Sequence, residues 1–166
     1  MLKIPLTSAM LILALTSCGR GDADANGSTG QSGGGVVVQT DTLTGLYESG
    51  DGPRRNQLCL IDREGQDSSF GFVTWSRTDK NCSANGTASR EGDRLRLRLD
   101  GTEDCTLDAR VEGRRVTFPV SVPAACTRYY CGDGAQLAGV GFDKVGGTQA
   151  DAARAVDLAG ESLCGG

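Results

Sequence analysis

The chain predicts a mainly β domain: a small antiparallel meander barrel or sandwich, braced by disulfides and finished by a short C-terminal helix. Three observations carry that reading. The run Arg94-Leu95-Arg96-Leu97-Arg98-Leu99 alternates charged and apolar residues without a break, as a strand with one solvated and one buried face requires. Short alternating segments recur on either side of it, and glycine-containing turns separate several of them. Six cysteines spread from Cys59 to Cys164 suit an exported domain held by bridges.

Taken in order, Leu43 to Glu48 reads as a first strand and Asn56 to Asp62 as a second. Ser69 to Ser76 is a third, with Phe70, Phe72 and Thr74 on one face and Val73 and Trp75 on the other. Ala84 to Glu91 precedes the turn Glu91-Gly92-Asp93, which leads into Arg94 to Leu99. After Asp100-Gly101, the residues Cys105, Leu107, Ala109 and Val111 alternate again, and Glu112-Gly113 separates them from Arg115 to Phe118. Pro123 to Gly132 predicts a short helix, since proline suits a first turn and glycine a C-cap. Leu137 to Val145 predicts a last strand. Thr148-Gln149-Ala150-Asp151 has the form of a capping box with Asp in place of Glu. Ala152, Val156, Ala159 and Leu163 follow at helical spacing, which predicts a closing helix from Gln149 to about Ala159. Tyr47, Phe70, Phe72 and Trp75 are expected in the core; of Tyr129 and Tyr130 one is expected to pack inward and the other to lie on the surface, the alternative being that both are partly exposed on a contact surface.

The amino terminus differs. Lys3 is followed by an apolar run from Ala9 to Leu15, far short of the roughly 20 residues that cross a bilayer. A basic start, a short apolar stretch and small residues describe a secretory signal. Leu15-Thr16-Ser17-Cys18 resembles the lipobox of bacterial lipoproteins, in which an aliphatic residue and two small ones precede the cysteine. The resemblance covers the first 18 residues only. It implies a diacylglyceryl group on the Cys18 sulfur, cleavage before Cys18, and acylation of the new amino group. Two or more acyl chains hold a protein stably where one does not. Gly19, rather than an Asp, follows the cysteine, which by the same resemblance favours the outer membrane, facing the periplasm. The expected organisation is a signal peptide at 1–17, the lipidated cysteine and a flexible tether at 18–41, and one β-rich domain at 42–166. The stretch from Gly19 to Gly35 has little to bury and cannot offset its ordering entropy. Its root-mean-square reach is about 20–25 Å. Val36-Val37-Val38 reads either as an edge strand or as the junction of tether and domain.

Seven cysteines in an exported chain leave one over. Assigning Cys18 to lipid leaves Cys59, Cys82, Cys105, Cys126, Cys131 and Cys164 for three bridges. Fifteen connectivities are possible; the expected one takes the cysteines two by two in chain order, Cys59–Cys82, Cys105–Cys126 and Cys131–Cys164, each closing a loop of a few tens of residues.

Composition also excludes chemistry. The chain has no histidine, so a Ser-His-Asp mechanism is out and the commonest metal ligand is missing. There is no SxxK and no phosphate loop. No catalytic residue, metal or cofactor is expected. Asp100, Glu103 and Asp104 cluster, but their spacing is not that of a calcium loop. A net charge of −4 does not suggest nucleic acid. The one suggestive surface is the stripe of Arg94, Arg96 and Arg98, which could meet an anionic glycan, lipid or acidic protein. From Ala84 to Phe118, however, seven arginines face seven acids, and cross-strand pairs such as Arg with Asp108 would account for the stripe. The expected function is a lipid-anchored envelope protein that binds or makes structural contact, similar in outline to envelope lysozyme inhibitors but sharing no identifiable motif with them. The alternatives are a lipocalin-like carrier of a small apolar ligand and a carboxylate-based hydrolase of envelope glycans.

Overall fold

A computed structural model describes residues 42–76, 80–101 and 104–164. Cys18, the lipobox, the tether, Val36 to Val38 and Glu103 lie outside the described residues.

Eight strands run in chain order: β1 Gly45–Ser49, β2 Asn56–Ile61, β3 Ser68–Trp75, β4 Asn81–Glu91, β5 Arg94–Leu99, β6 Thr106–Glu112, β7 Arg115–Thr117 and β8 Gly141–Gly146. Each pairs antiparallel with the next, and β8 returns to β1, so the sheet closes into a barrel. Inward positions are apolar. Phe70, Phe72, Phe118, Phe142, Leu58, Leu60, Leu95, Leu97 and Leu107 are all at most 1% exposed. Phe72, Phe118 and Phe142 meet edge-on, with ring centroids 5.2 and 5.0 Å apart. Small residues make room for these rings. In the β3–β4 register, Phe70 lies opposite Gly86 and Phe72 opposite Ala84. A Cβ at Gly86 would stand 3.0 Å from the Phe70 ring and would strike the Arg98 carbonyl.

One end of the barrel is capped by the connection between β7 and β8. It carries α1 (Ala124–Tyr130), with Pro123 at its N-cap and Cys131 at its C-cap. Cys126, Leu137 and Phe118 enter the core from this connection. Leu137 therefore sits in the cap, and the last strand begins at Gly141 rather than Leu137. The other end is plugged by Leu43, whose carbonyl accepts from the Tyr47 hydroxyl at 2.8 Å. The Asp62 carboxylate ties this plug down, accepting from Thr42 Oγ1 (2.6 Å), Leu43 N (2.7 Å) and Ser68 Oγ (2.9 Å).

The capping box is present: Thr148 Oγ1 accepts from Asp151 N, and the Asp151 carboxylate accepts from Thr148 N. The helix it starts, α2, is only Gln149–Ala152, not Gln149 to Ala159 as the spacing predicts. The reason is local. Asp157 Oδ1 accepts from the backbone N–H of Ala159 and Glu161, and Gly160 takes φ +86°. These turn the chain back so that Val156 bridges to Ser162. A side chain that captures nearby N–H groups competes with the helix for them.

Three disulfides form: Cys59–Cys164, Cys82–Cys131 and Cys105–Cys126. Of the three expected pairs only Cys105–Cys126 is found; Cys59–Cys82 and Cys131–Cys164 are not. Sheet parity forbids the first. Cys59 pairs with Gly71 on the outer face, whereas Cys82 pairs with Thr74 and packs in the core. The second fails because Cys131 sits in the cap beside β4, while Cys164 lies on the outer wall with Cys59.

Candidate functional site

The wall of the barrel has two kinds of outer face. Over β1 and β2 it is covered. Leu46 and Cys59 pack beneath Ala152, Ala155, Leu163 and Cys164 of the C-terminal segment. The segment crosses β3 at Gly71, where a Cβ would come within 2.5 Å of the Leu163 carbonyl and 2.9 Å of its Cβ. Glycine is required there by close approach, not by its φ. Over β4, β5 and β6 the outer face is bare, and burial alternates strictly along β5 and β6. This apolar-in, charged-out pattern is the inverse of a bilayer-spanning barrel. None of the described helices is long and apolar enough to cross a membrane.

The arginine stripe lies on the bare face, and its three members differ. Asp108 accepts from Arg94 Nη2 at 2.5 Å and Nε at 3.0 Å, and from Arg96 Nε at 3.3 Å. These hydrogen bonds, that of Arg94 foremost, hold the Asp108 carboxyl below the usual carboxylate range. Arg98 is on a different rung. The register runs Ser69, Thr87, Arg98, Thr106 across β3 to β6, three hydroxyls and no acid. Arg98 has no ion-pair or hydrogen-bond partner for its guanidinium among the described residues.

Beside this rung, where bare and covered faces meet, lies a surface groove of about 260 Å³. Ser69, Asn85, Thr87, Arg63, Asp100, Leu163 and Cys164 line it. Its parts come from β3, β4, the loop after β2, the turn after β5 and the C-terminal segment. Asp100 is positioned by its backbone, which donates to Asn85 O at 2.9 Å and accepts from the Tyr130 hydroxyl at 3.0 Å. The side chains of Arg63, Asn85, Thr87 and Asp100 make no hydrogen bond among the described residues, and Ser69 Oγ is buried without a partner.

Sequence reasoning placed Arg94, Arg96 and Arg98 on one face, and they are on one face. It did not distinguish Arg98 from the other two, and it missed the groove. The available signal was the row of Ser and Thr flanking Arg98, which becomes visible only when the register is known. Trp75, expected in the core, stands at the wall's surface with Arg54 5.6 Å above its ring. Tyr129 is 53% exposed, while Tyr130 packs against the core. No three His, Cys, Asp or Glu side chains among the described residues are placed to hold a metal ion.

No protein-family model, curated protein or solved structure matches the chain.

Proposed function

We propose that the chain is a lipid-anchored cell-envelope protein that works by binding at the outer wall of its barrel, not by catalysis or by carriage inside it. The observation that carries this is the contrast between a tightly packed interior and a groove whose polar side chains have no internal use. Four fully buried phenylalanines occupy the space in which a carrier of this size would hold its cargo. The six cysteines of the barrel are all oxidised, so they offer no thiol nucleophile. Among the described residues the groove lining holds one carboxylate, Asp100, where glycoside hydrolysis needs two about 5–10 Å apart. Polar groups left without partners at a surface concavity favour recognition of an external ligand.

The lipid anchor on Cys18 rests on Leu15-Thr16-Ser17-Cys18 and on the cysteine parity. It fits the barrel, whose three bridges take the other six cysteines. The test has two arms. Cells expressing the chain are fed a labelled fatty acid and fractionated; the wild type is expected to label and to partition with membranes, and Cys18→Ala to do neither. A photo-crosslinker at Thr87 is expected to capture an envelope component that the same probe at Glu161, on the covered side, does not. A labelled, membrane-bound Cys18→Ala chain would overturn the anchor. A purified barrel that retains an apolar molecule in its interior would overturn the surface mode.

A further inference from the structure

We infer that the groove beside β4 binds a sugar unit carrying a single carboxylate, Arg98 receiving the carboxylate and Asn85, Thr87 and Asp100 the ring hydroxyls. This rests on the reading of the barrel as a module that binds through its outer wall, and it narrows that reading to one ligand chemistry.

Charge is the first argument. Of the three stripe arginines, two converge on Asp108. Arg98 stands between Thr87 and Thr106, directly across the register, at the few-ångström spacing of cross-strand neighbours. A guanidinium in that setting presents its planar fork to an oxyanion, and a carboxylate or phosphate completes it bidentately. Arg63 adds a second cation at the groove's rim.

Asp100 argues for the sugar. A carboxylate in the lining repels a compact dianion such as phosphate, but it accepts hydrogen bonds from vicinal hydroxyls. Among the described residues, two arginines and one aspartate leave room for one negative charge. Asn85 supplies two donors and an acceptor, and Thr87 can do either. A set that mixes a lone charge site with donors and acceptors of both senses matches a polyhydroxylated monoanion.

Closure of the barrel argues against a peptide. Strand addition needs an edge with unpaired N–H and C=O groups, and all eight strands here are paired on both sides. Whatever binds must be read by side chains. The one aromatic of the lining, Phe70, is 1% exposed and packs in the core, so no ring is available for stacking. Binding to a single unit is therefore weak, and titration followed by amide chemical shifts suits it better than capture.

The test uses the oxidised full chain with Cys18→Ala, titrated with tri-galacturonate and with its methyl ester, which keeps the hydroxyls and loses the charge. The free acid is expected to shift the amides of Asn85, Thr87 and Asp100. The ester and the Arg98→Gln variant are each expected to bind at least tenfold more weakly, while Arg94→Gln binds as the parent does. Arg98 is exposed, so its variant should melt with the parent; Arg98→Lys, which keeps the charge without the fork, should fall between them. Equal binding of acid and ester, with Arg98→Gln unaffected, would overturn the carboxylate assignment and leave the outer-wall reading intact. Inorganic phosphate shifting the same amides at lower concentration would overturn the sugar. Silence of these amides to all three probes would overturn the inference; the outer-wall reading would fall with it only if crosslinking from Thr87 also captured nothing.

Discussion

The two sides of the barrel wall solve the same problem differently. Along β5 and β6 every second residue points into the core and every other one into water, and apolar packing comes from the inward Leu95, Leu97, Leu99, Leu107, Ala109 and Val111. Along β2 and β3 consecutive residues are buried: Leu58, Cys59 and Leu60 on one strand, Phe70, Gly71, Phe72 and Val73 on the next. Such double burial needs an outer layer, and the C-terminal segment provides part of it over Leu46, Cys59 and Gly71. The difference teaches where mutation should hurt. Outer positions on the covered side behave as core, while those on the bare side behave as surface.

The largest test removes the covering layer's tether. Loss of a bridge costs more for a longer loop, so Cys59→Ala with Cys164→Ala, a separation of 105, is expected to lose about 5 kcal/mol. Cys105→Ala with Cys126→Ala, a separation of 21, should lose about 3. Denaturant midpoints of the two double variants decide it, and equal losses would break the comparison. Next, Gly71→Val is expected to cost about 1–3 kcal/mol by overpacking against Leu163. It should also open the C-terminal segment to limited proteolysis. Ser89→Val, exposed on the bare side opposite Arg96, should stay within about 0.5 kcal/mol.

A smaller effect concerns acid. Burial raises the Asp62 carboxyl, but hydrogen bonds from Thr42, Ser68, Leu43 and Thr44 outweigh it and hold the group below its ordinary value. The folded state thus binds this proton less readily than the unfolded chain does. Its contribution is complete above the unfolded value of about 3.9 and is lost as pH falls through the lower folded value. Asp62→Asn should lose about 1–2 kcal/mol at neutral pH and show a flatter acid limb in thermal melts. The smallest effect belongs to the bare side: Asp108→Asn, although it leaves Arg94 and Arg96 without their acid, is expected to cost under about 1 kcal/mol, less still in high salt.

This contrast also governs how much could be read beforehand. Arg94 to Leu99 was legible to the residue because one face is solvated, so polarity reports orientation. The β2 and β3 strands were recognisable as strands, but their covered outer faces were not, because burial on both sides erases the alternation. The segment after Ala152 was misread because Val156 and Ala159 fall at helical spacing by coincidence, while the Asp157 turn acts through hydrogen bonds that spacing does not register. Cysteine pairing and the groove share one difficulty. Cys59 meets Cys164 across 105 positions, and the groove draws on five separate stretches of chain. Both are consequences of closure, which strand order alone leaves open.

The placement of Cys59 on the outer face and Cys82 on the inner one has a consequence for biosynthesis. If the chain is oxidised as it emerges amino terminus first, Cys59 and Cys82 are both exposed before Cys164, the partner of Cys59, which follows it by 105 positions. While the chain is unstructured the wrong pair is the nearest one. Once β2, β3 and β4 zip together, the sheet stands between the two sulfurs and the error can no longer be made. The sheet thus proofreads its own crosslinks, provided pairing of strands outruns oxidation. Refolding the reduced chain under slow oxidation should recover Cys59–Cys164, whereas fast oxidation in denaturant should trap Cys59–Cys82.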